Sequence, residues 1–144
     1  MKKSYRTLEF SFIQDYIKNY CFSEMAKKRI DQIQPFQDID DLKLYQDDIS
    51  SAMKIIYAYG RIPLAPYEDI KEILQKAQKG GVCYPQDLLK IVQILKNVQE
   101  VQAYLDQEIE QSHLLEILSL LYLPKDLYNE ILKCVDPSGN IYDH

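Results

Sequence analysis

Apolar residues recur every three or four positions along nearly the whole chain, and runs of alternating β-branched residues are missing. That pattern predicts an all-α protein. Ser11 offers an N-cap hydroxyl to a first helix burying Phe12, Ile13, Tyr16, Ile17 and Tyr20, with Leu8 and Phe10 as anchors before it. Ser23 opens a second helix presenting Met25, Ala26, Ile30 and Ile33, which ends before Pro35. The two form a short hairpin. Asp38 to Asp41 supply cap acids for a third helix, along which Leu42, Tyr45, Ile49, Met53 and Ile56 step by three, four, four and three residues. Gly60 fits its C′ position.

Two prolines within Arg61–Tyr67 make that stretch an extended connection, and its apolar content predicts that it packs down. A fourth helix from about Glu68 buries Ile70, Ile73, Leu74 and Ala77 and stops at Gly80-Gly81. Pro85 suits the first turn of a fifth, longest helix carrying Leu88, Ile91, Leu95, Val98, Val101 and Leu105. The leucine-rich stretch 114–123 is apolar on every side, which marks it as core or interface; Leu114, Leu115, Leu118 and Leu121 form the candidate association face. Pro124 restarts a last helix through Leu127, Ile131 and Leu132, and Asp136 to Asn140 make a turn. The expected architecture is an irregular bundle of about six to seven helices with one long helix.

A length of 144 residues suits one domain over 1–144. No apolar run approaches the roughly 18 residues needed to cross a bilayer, and Met1-Lys2-Lys3-Ser4 lacks a signal-peptide core, so a cytoplasmic protein without membrane contact is expected. Cys21, Cys83 and Cys134 are odd in number and widely spaced, which predicts reduced, buried thiols. His113 and His144 have no Cys or His nearby at ligand spacing, so no metal is expected.

The net charge of −5 argues against a generally basic nucleic-acid-binding surface. Charge is unevenly distributed, however: residues 1–30 hold seven Lys or Arg against three acids, and 101–144 hold two Lys against eight. The basic candidates for phosphate contact are Lys2, Lys3, Arg6, Lys27, Lys28 and Arg29. None of Gly60, Gly80, Gly81 and Gly139 fits GxxxxGK[ST], so the chain has no loop to cradle a nucleotide and no cofactor is expected in it. His113 is the sole internal histidine available as a base, but Ser112 and Glu116 read as a cap and a first-turn acid, so no catalytic residue is assigned. Neighbouring carboxylates in Asp40-Asp41 and Asp47-Asp48 diverge by roughly 100° on a helix and read as solvated faces. Tyr16, Tyr45 and Tyr57 read as core residues reaching a polar partner.

Taken in order, several motifs point to one family. Arg6-Thr7-Leu8-Glu9-Phe10, Tyr20-Cys21-Phe22-Ser23-Glu24-Met25-Ala26-Lys27, Ile33-Gln34-Pro35 and Tyr59-Gly60-Arg61-Ile62-Pro63-Leu64 come first. Asp69-Ile70, Ala77-Gln78-Lys79-Gly80-Gly81-Val82, Pro85-Gln86-Asp87-Leu88-Leu89 and Asp136-Pro137-Ser138-Gly139-Asn140-Ile141-Tyr142-Asp143 follow. The ordered set resembles the amino-terminal segment of the second bacterial MutS paralogue, MutS-II. The chain departs from the family at Ala65-Pro66-Tyr67, where glycine usually follows Pro-Leu. In the family, Ala-Ser and further core helices follow the last motif, so the resemblance implies an excised amino-terminal fragment. It implies a parent with a helical core and lever, a clamp, an ATPase using ATP and Mg, and usually a Smr-type endonuclease domain. The parent would be a homodimer that binds structured DNA and limits recombination, or binds collided ribosomes. Within it this chain would be a non-catalytic part of a MutS core and lever; the alternative is a stand-alone helical adaptor for protein association.

Overall fold

Short polar side chains set where several helices begin. Ser23 Oγ accepts the Ala26 N–H at 3.1 Å, Asp38 Oδ1 that of Asp40 at 2.7 Å, and Ser112 Oγ that of Leu115 at 3.2 Å. In the computed structural model, which describes residues 9–107, 109–136 and 138–142, these caps open three of the seven α-helices found among the described residues. The helices are α1 (Phe10–Lys18), α2 (Glu24–Asp31), α3 (Ile39–Tyr59), α4 (Lys71–Gln78), α5 (Pro85–Leu105), α6 (His113–Ser119) and α7 (Lys125–Cys134). The described residues form no strand, only isolated bridges between Ser23 and Tyr67 and between Val135 and Ile141. The protein is thus all-α, as expected. The long helix is not single: α3 and α5 each run for 21 residues.

Packing divides the chain into two compact units. The first holds 9–35 with Pro66–Asp69. Its hairpin of α1 and α2 is joined by polar groups: Gln14 Nε2 donates to the Ile30 carbonyl at 2.7 Å, and Lys18 pairs with Asp31 and with Asp15. The bond to Asp31, then that to Asp15, holds the Lys18 ammonium above the ordinary lysine range. The Tyr67 N–H donates to the Phe22 carbonyl at 3.4 Å. Helix α1 starts earlier than the sequence suggested, so Ser11 lies inside it. The cap is Glu9, with φ 51° in the left-handed region, and its carbonyl accepts the N–H groups of Phe12 and Ile13.

The second unit holds Phe36–Ala65 and the described residues from Ile70 onward. The buried apolar side chains found among the described residues belong to it: Ile55, Ile73, Leu95, Val101, Leu123, Ile131 and Val135. Helix α5 organises this core. Its start is fixed by Asp87, whose Oδ2 accepts the Tyr84 N–H at 3.0 Å and meets Lys76 Nζ at 3.4 Å, while that ammonium lies 4.4 Å from the Tyr84 ring centre. Midway, the buried Asn97 grips one backbone residue twice: its Oδ1 accepts the Ala65 N–H at 2.9 Å and its Nδ2 donates to the Ala65 carbonyl at 3.0 Å. That clamp fastens the end of the proline-rich connection. Further on, Tyr104 donates its hydroxyl to the Gly60 carbonyl at 2.8 Å, supplying a partner where α3 ends.

Helix α4 begins at Lys71, later than expected, and ends as the glycines predict. Gly80 takes φ 74° and donates to the Ala77 carbonyl, while Gly81 donates to that of Lys76, each at 2.9 Å. After α7, Asp136 orders the predicted turn. Its Oδ1 accepts the N–H groups of Ser138 and Asn140 at 2.8 Å, and its Oδ2 accepts Asn140 Nδ2 at 3.1 Å. Gly139, at φ 84°, lets this turn close on α5: a Cβ there would sit 2.9 Å from Gln86 Nε2 and 3.2 Å from Leu89 Cδ1.

Candidate docking surfaces

The most conspicuous surface follows from which face each helix turns inward. On α3 the covered positions are Asp48, Ser51, Ala52 and Ile55, and Ile55 is just 4% exposed. The stripe Leu42, Tyr45, Ile49, Met53 and Ile56 lies about a third of a turn away and is 37% to 55% exposed. Its expected burial is therefore corrected. The cause is that α3 meets α6 through a less apolar side: His113 Nδ1 stands 3.0 Å from both carboxylate oxygens of Asp48. The same inversion occurs on α1, where Gln14 and Lys18 face α2 and Phe12, Ile13, Tyr16, Ile17 and Tyr20 remain exposed. Tyr16, Tyr45 and Tyr57 are accordingly surface rings, not core. Tyr16 and Tyr20 stack edge to face with hydroxyls 3.0 Å apart, and Tyr45 packs 5.3 Å from Phe36 between ring centres.

Among the leucines of 114–123, Leu123 is core, whereas Leu114, Leu115, Leu118 and Leu121 are half-buried. Leu115, Leu118 and Leu121 line an open groove of about 500 Å³ together with Leu105, Gln102 and Asp106. Gln102 Nε2 donates to the Leu121 carbonyl at 2.8 Å and fixes one wall. A smaller hollow of about 250 Å³ lies between α3 and residues 109–112, with Lys54 and Glu110 3.6 Å apart beside it.

The basic candidates do not all gather on one surface. Lys27, Lys28 and Arg29 are consecutive on α2 and fan around the helix, and Lys27 is tied to Glu24 at 2.7 Å. Lys28 and Arg29 are exposed; Lys2, Lys3 and Arg6 lie outside the described residues, as does His144.

The geometry gives no nucleophile to a base among the described residues. Ser112 Oγ is engaged by the Leu115 amide and serves as a cap, and His113 ties α6 to α3 through Asp48. That tie was missed in the sequence because its partners are 65 residues apart. No group of three or more His, Cys, Asp or Glu side chains converges among the described residues. Cys21 and Cys83 are half-buried, but Cys134 is exposed, against the expectation that all three thiols are buried. No helix among the described residues is long and apolar enough to cross a membrane.

The class this defines is an all-helical chain whose notable surfaces are apolar helix faces and a leucine groove. No family model matches the chain. It resembles a segment of proteins named Endonuclease MutS2: that of Clostridium botulinum (strain Alaska E43 / Type E3) is 30% identical over 146 residues, covering 99% of this chain and 19% of the relative. The namesakes from Halothermothrix orenii (30%) and Bacillus velezensis (25%) align over 151 residues with the same coverage. The chain thus spans about one fifth of the length of the curated relatives it matches.

Proposed function

We propose that this chain works as a non-catalytic, amino-terminal core and lever segment of a longer MutS2-like protein, a homodimer in the cytoplasm. In that protein ATP and Mg act elsewhere, as does the endonuclease chemistry for which the relatives are named. The helices here pass movements to a clamp that closes on structured DNA or a collided ribosome. The observation carrying this reading is the likeness along 99% of the chain to a limited part of much longer relatives. The outward apolar faces of α1 and of the leucine groove support it, because further helices of the same chain would cover them.

The reading is tested on the purified 144-residue protein. Expected are no ATP turnover, no cleavage of a four-way DNA junction, and binding to junction or ribosome that weakens when Lys27, Lys28 and Arg29 are replaced by Glu. Turnover of either kind would refute the non-catalytic role, and unchanged binding would remove α2 from the nucleic-acid surface. A second reading, a free-standing adaptor, is favoured by the leucine groove alone.

A further inference from the structure

The excess negative charge of the chain is confined to the stretch that builds its leucine groove. From Asn97 to Pro124 there are five acids and neither Lys nor Arg, so this stretch alone accounts for the net charge of −5 and the remainder balances. Not all of these acids belong to the groove. Glu100 and Glu110 are directed at Lys96 and Lys54, at 3.9 and 3.6 Å, and Glu108 lies outside the described residues. Asp106 lines the groove, and Glu116 is exposed on α6, about 100° round the helix from Leu115. Neither pairs with a base among the described residues. The one histidine of the stretch, His113, is engaged by Asp48 on α3.

Leu105, Leu115, Leu118 and Leu121 give the groove, of about 500 Å³, its apolar lining. Leucines beside unpaired carboxylates are complementary to a helix that is apolar along one stripe and basic next to it. An acidic rim repels a phosphate backbone, so the occupant is a protein element and not nucleic acid. We propose that the groove seats a basic amphipathic helix supplied by the rest of the longer chain. The length of that remainder favours this source, since the match that takes in 99% of this chain takes in only 19% of the relative. The apolar stripe of the helix covers the leucines, and its Lys or Arg residues beside Asp106 and Glu116 set its register. The inference rests on the reading of this chain as a segment, yet the chemistry of the groove is testable without the remainder.

Two designed helical peptides serve as probes, each with leucines at i, i+3, i+4 and i+7, flanked by lysine in one and by glutamate in the other. Calorimetry on the 144-residue protein should show the lysine peptide binding at least about 10-fold tighter, with the gap closing at high salt. Asp106→Lys with Glu116→Lys, both at exposed positions, should reverse that order. The same change of net charge made by Glu72→Lys with Glu130→Lys, exposed on α4 and α7, should leave it intact, which separates the groove from a general attraction to an acidic protein. Leu118→Cys, read at that residue by mass spectrometry, should react with a maleimide at least about 10-fold more slowly in the longer protein than in the 144-residue protein. Equal binding of the two peptides, or an order that the groove pair leaves unchanged, would overturn the basic occupant while the segment reading stands. Equal labelling in both proteins would overturn the proposed source. ATP turnover or junction cleavage by the 144-residue protein would refute the segment reading and leave the peptide result standing.

Discussion

Asn97 shows how one buried amide can fix a stretch of chain that has no regular structure. Proline removes backbone donors from the Arg61–Tyr67 connection, so few internal hydrogen bonds can hold it, and Asn97 supplies a donor and an acceptor to Ala65 together. Replacing it by Leu should destabilise the second unit by about 1–3 kcal/mol, the net worth of the two hydrogen bonds lost to Ala65. Asn97→Asp should cost more at neutral pH, because a buried carboxylate would face the Ala65 carbonyl. Burial raises the pKa of such a carboxyl, and once protonated it can donate again, so the deficit should shrink as pH falls toward about 5. Urea unfolding of both variants at two pH values measures this; equal, pH-independent losses would show that Asn97 acts through volume alone.

Elements in this chain are stopped and started by local chemistry, and that is the part the sequence makes legible. Ser23, Asp38 and Ser112 cap as their spacing predicts, and Gly80-Gly81 ends α4, because each acts on its near neighbours in the chain. The turn at Asp136 belongs to the same class and has a definite pH dependence. N–H donation from Asn140 first, then the Asn140 side chain, outweighs desolvation and holds the Asp136 carboxyl below the ordinary aspartate range. A lowered folded value means that the stabilisation is complete above the ordinary value of about 3.9 and is lost as pH falls through the lower one. Amide exchange at Ser138 and Asn140 should therefore accelerate only below about pH 4, relative to residues of α5. No relative acceleration below about pH 4 would mean that the backbone bridge, not the carboxylate, holds the turn. What periodicity could not reveal is which neighbour an apolar face meets. The stripes on α1 and α3 have helical spacing, yet Gln14, Lys18 and Asp48 make the contacts, and amphipathicity carries no information about a partner distant in sequence.

At the scale of the whole molecule, the distribution of burial matters more than its amount. The buried apolar side chains among the described residues lie in the second unit, while the first is joined by Gln14, the Lys18 pairs and the Phe22–Tyr67 bond. Exposed ion pairs and single hydrogen bonds contribute little against the entropy of ordering a hairpin, whereas a shared apolar core makes unfolding cooperative. The two units should therefore open at different free energies. Hydrogen exchange should protect the middle of α5 and the buried turns of α4 and α7 together, at the global stability of the second unit. Amides of α1 and α2 should exchange orders of magnitude sooner, and α1 should gain protection when a helix covers Phe12, Ile13 and Tyr16. Equal protection of α1 and α5 in the isolated chain would mean that the first unit holds without a covering segment, and would remove the reason for assigning its apolar face to one.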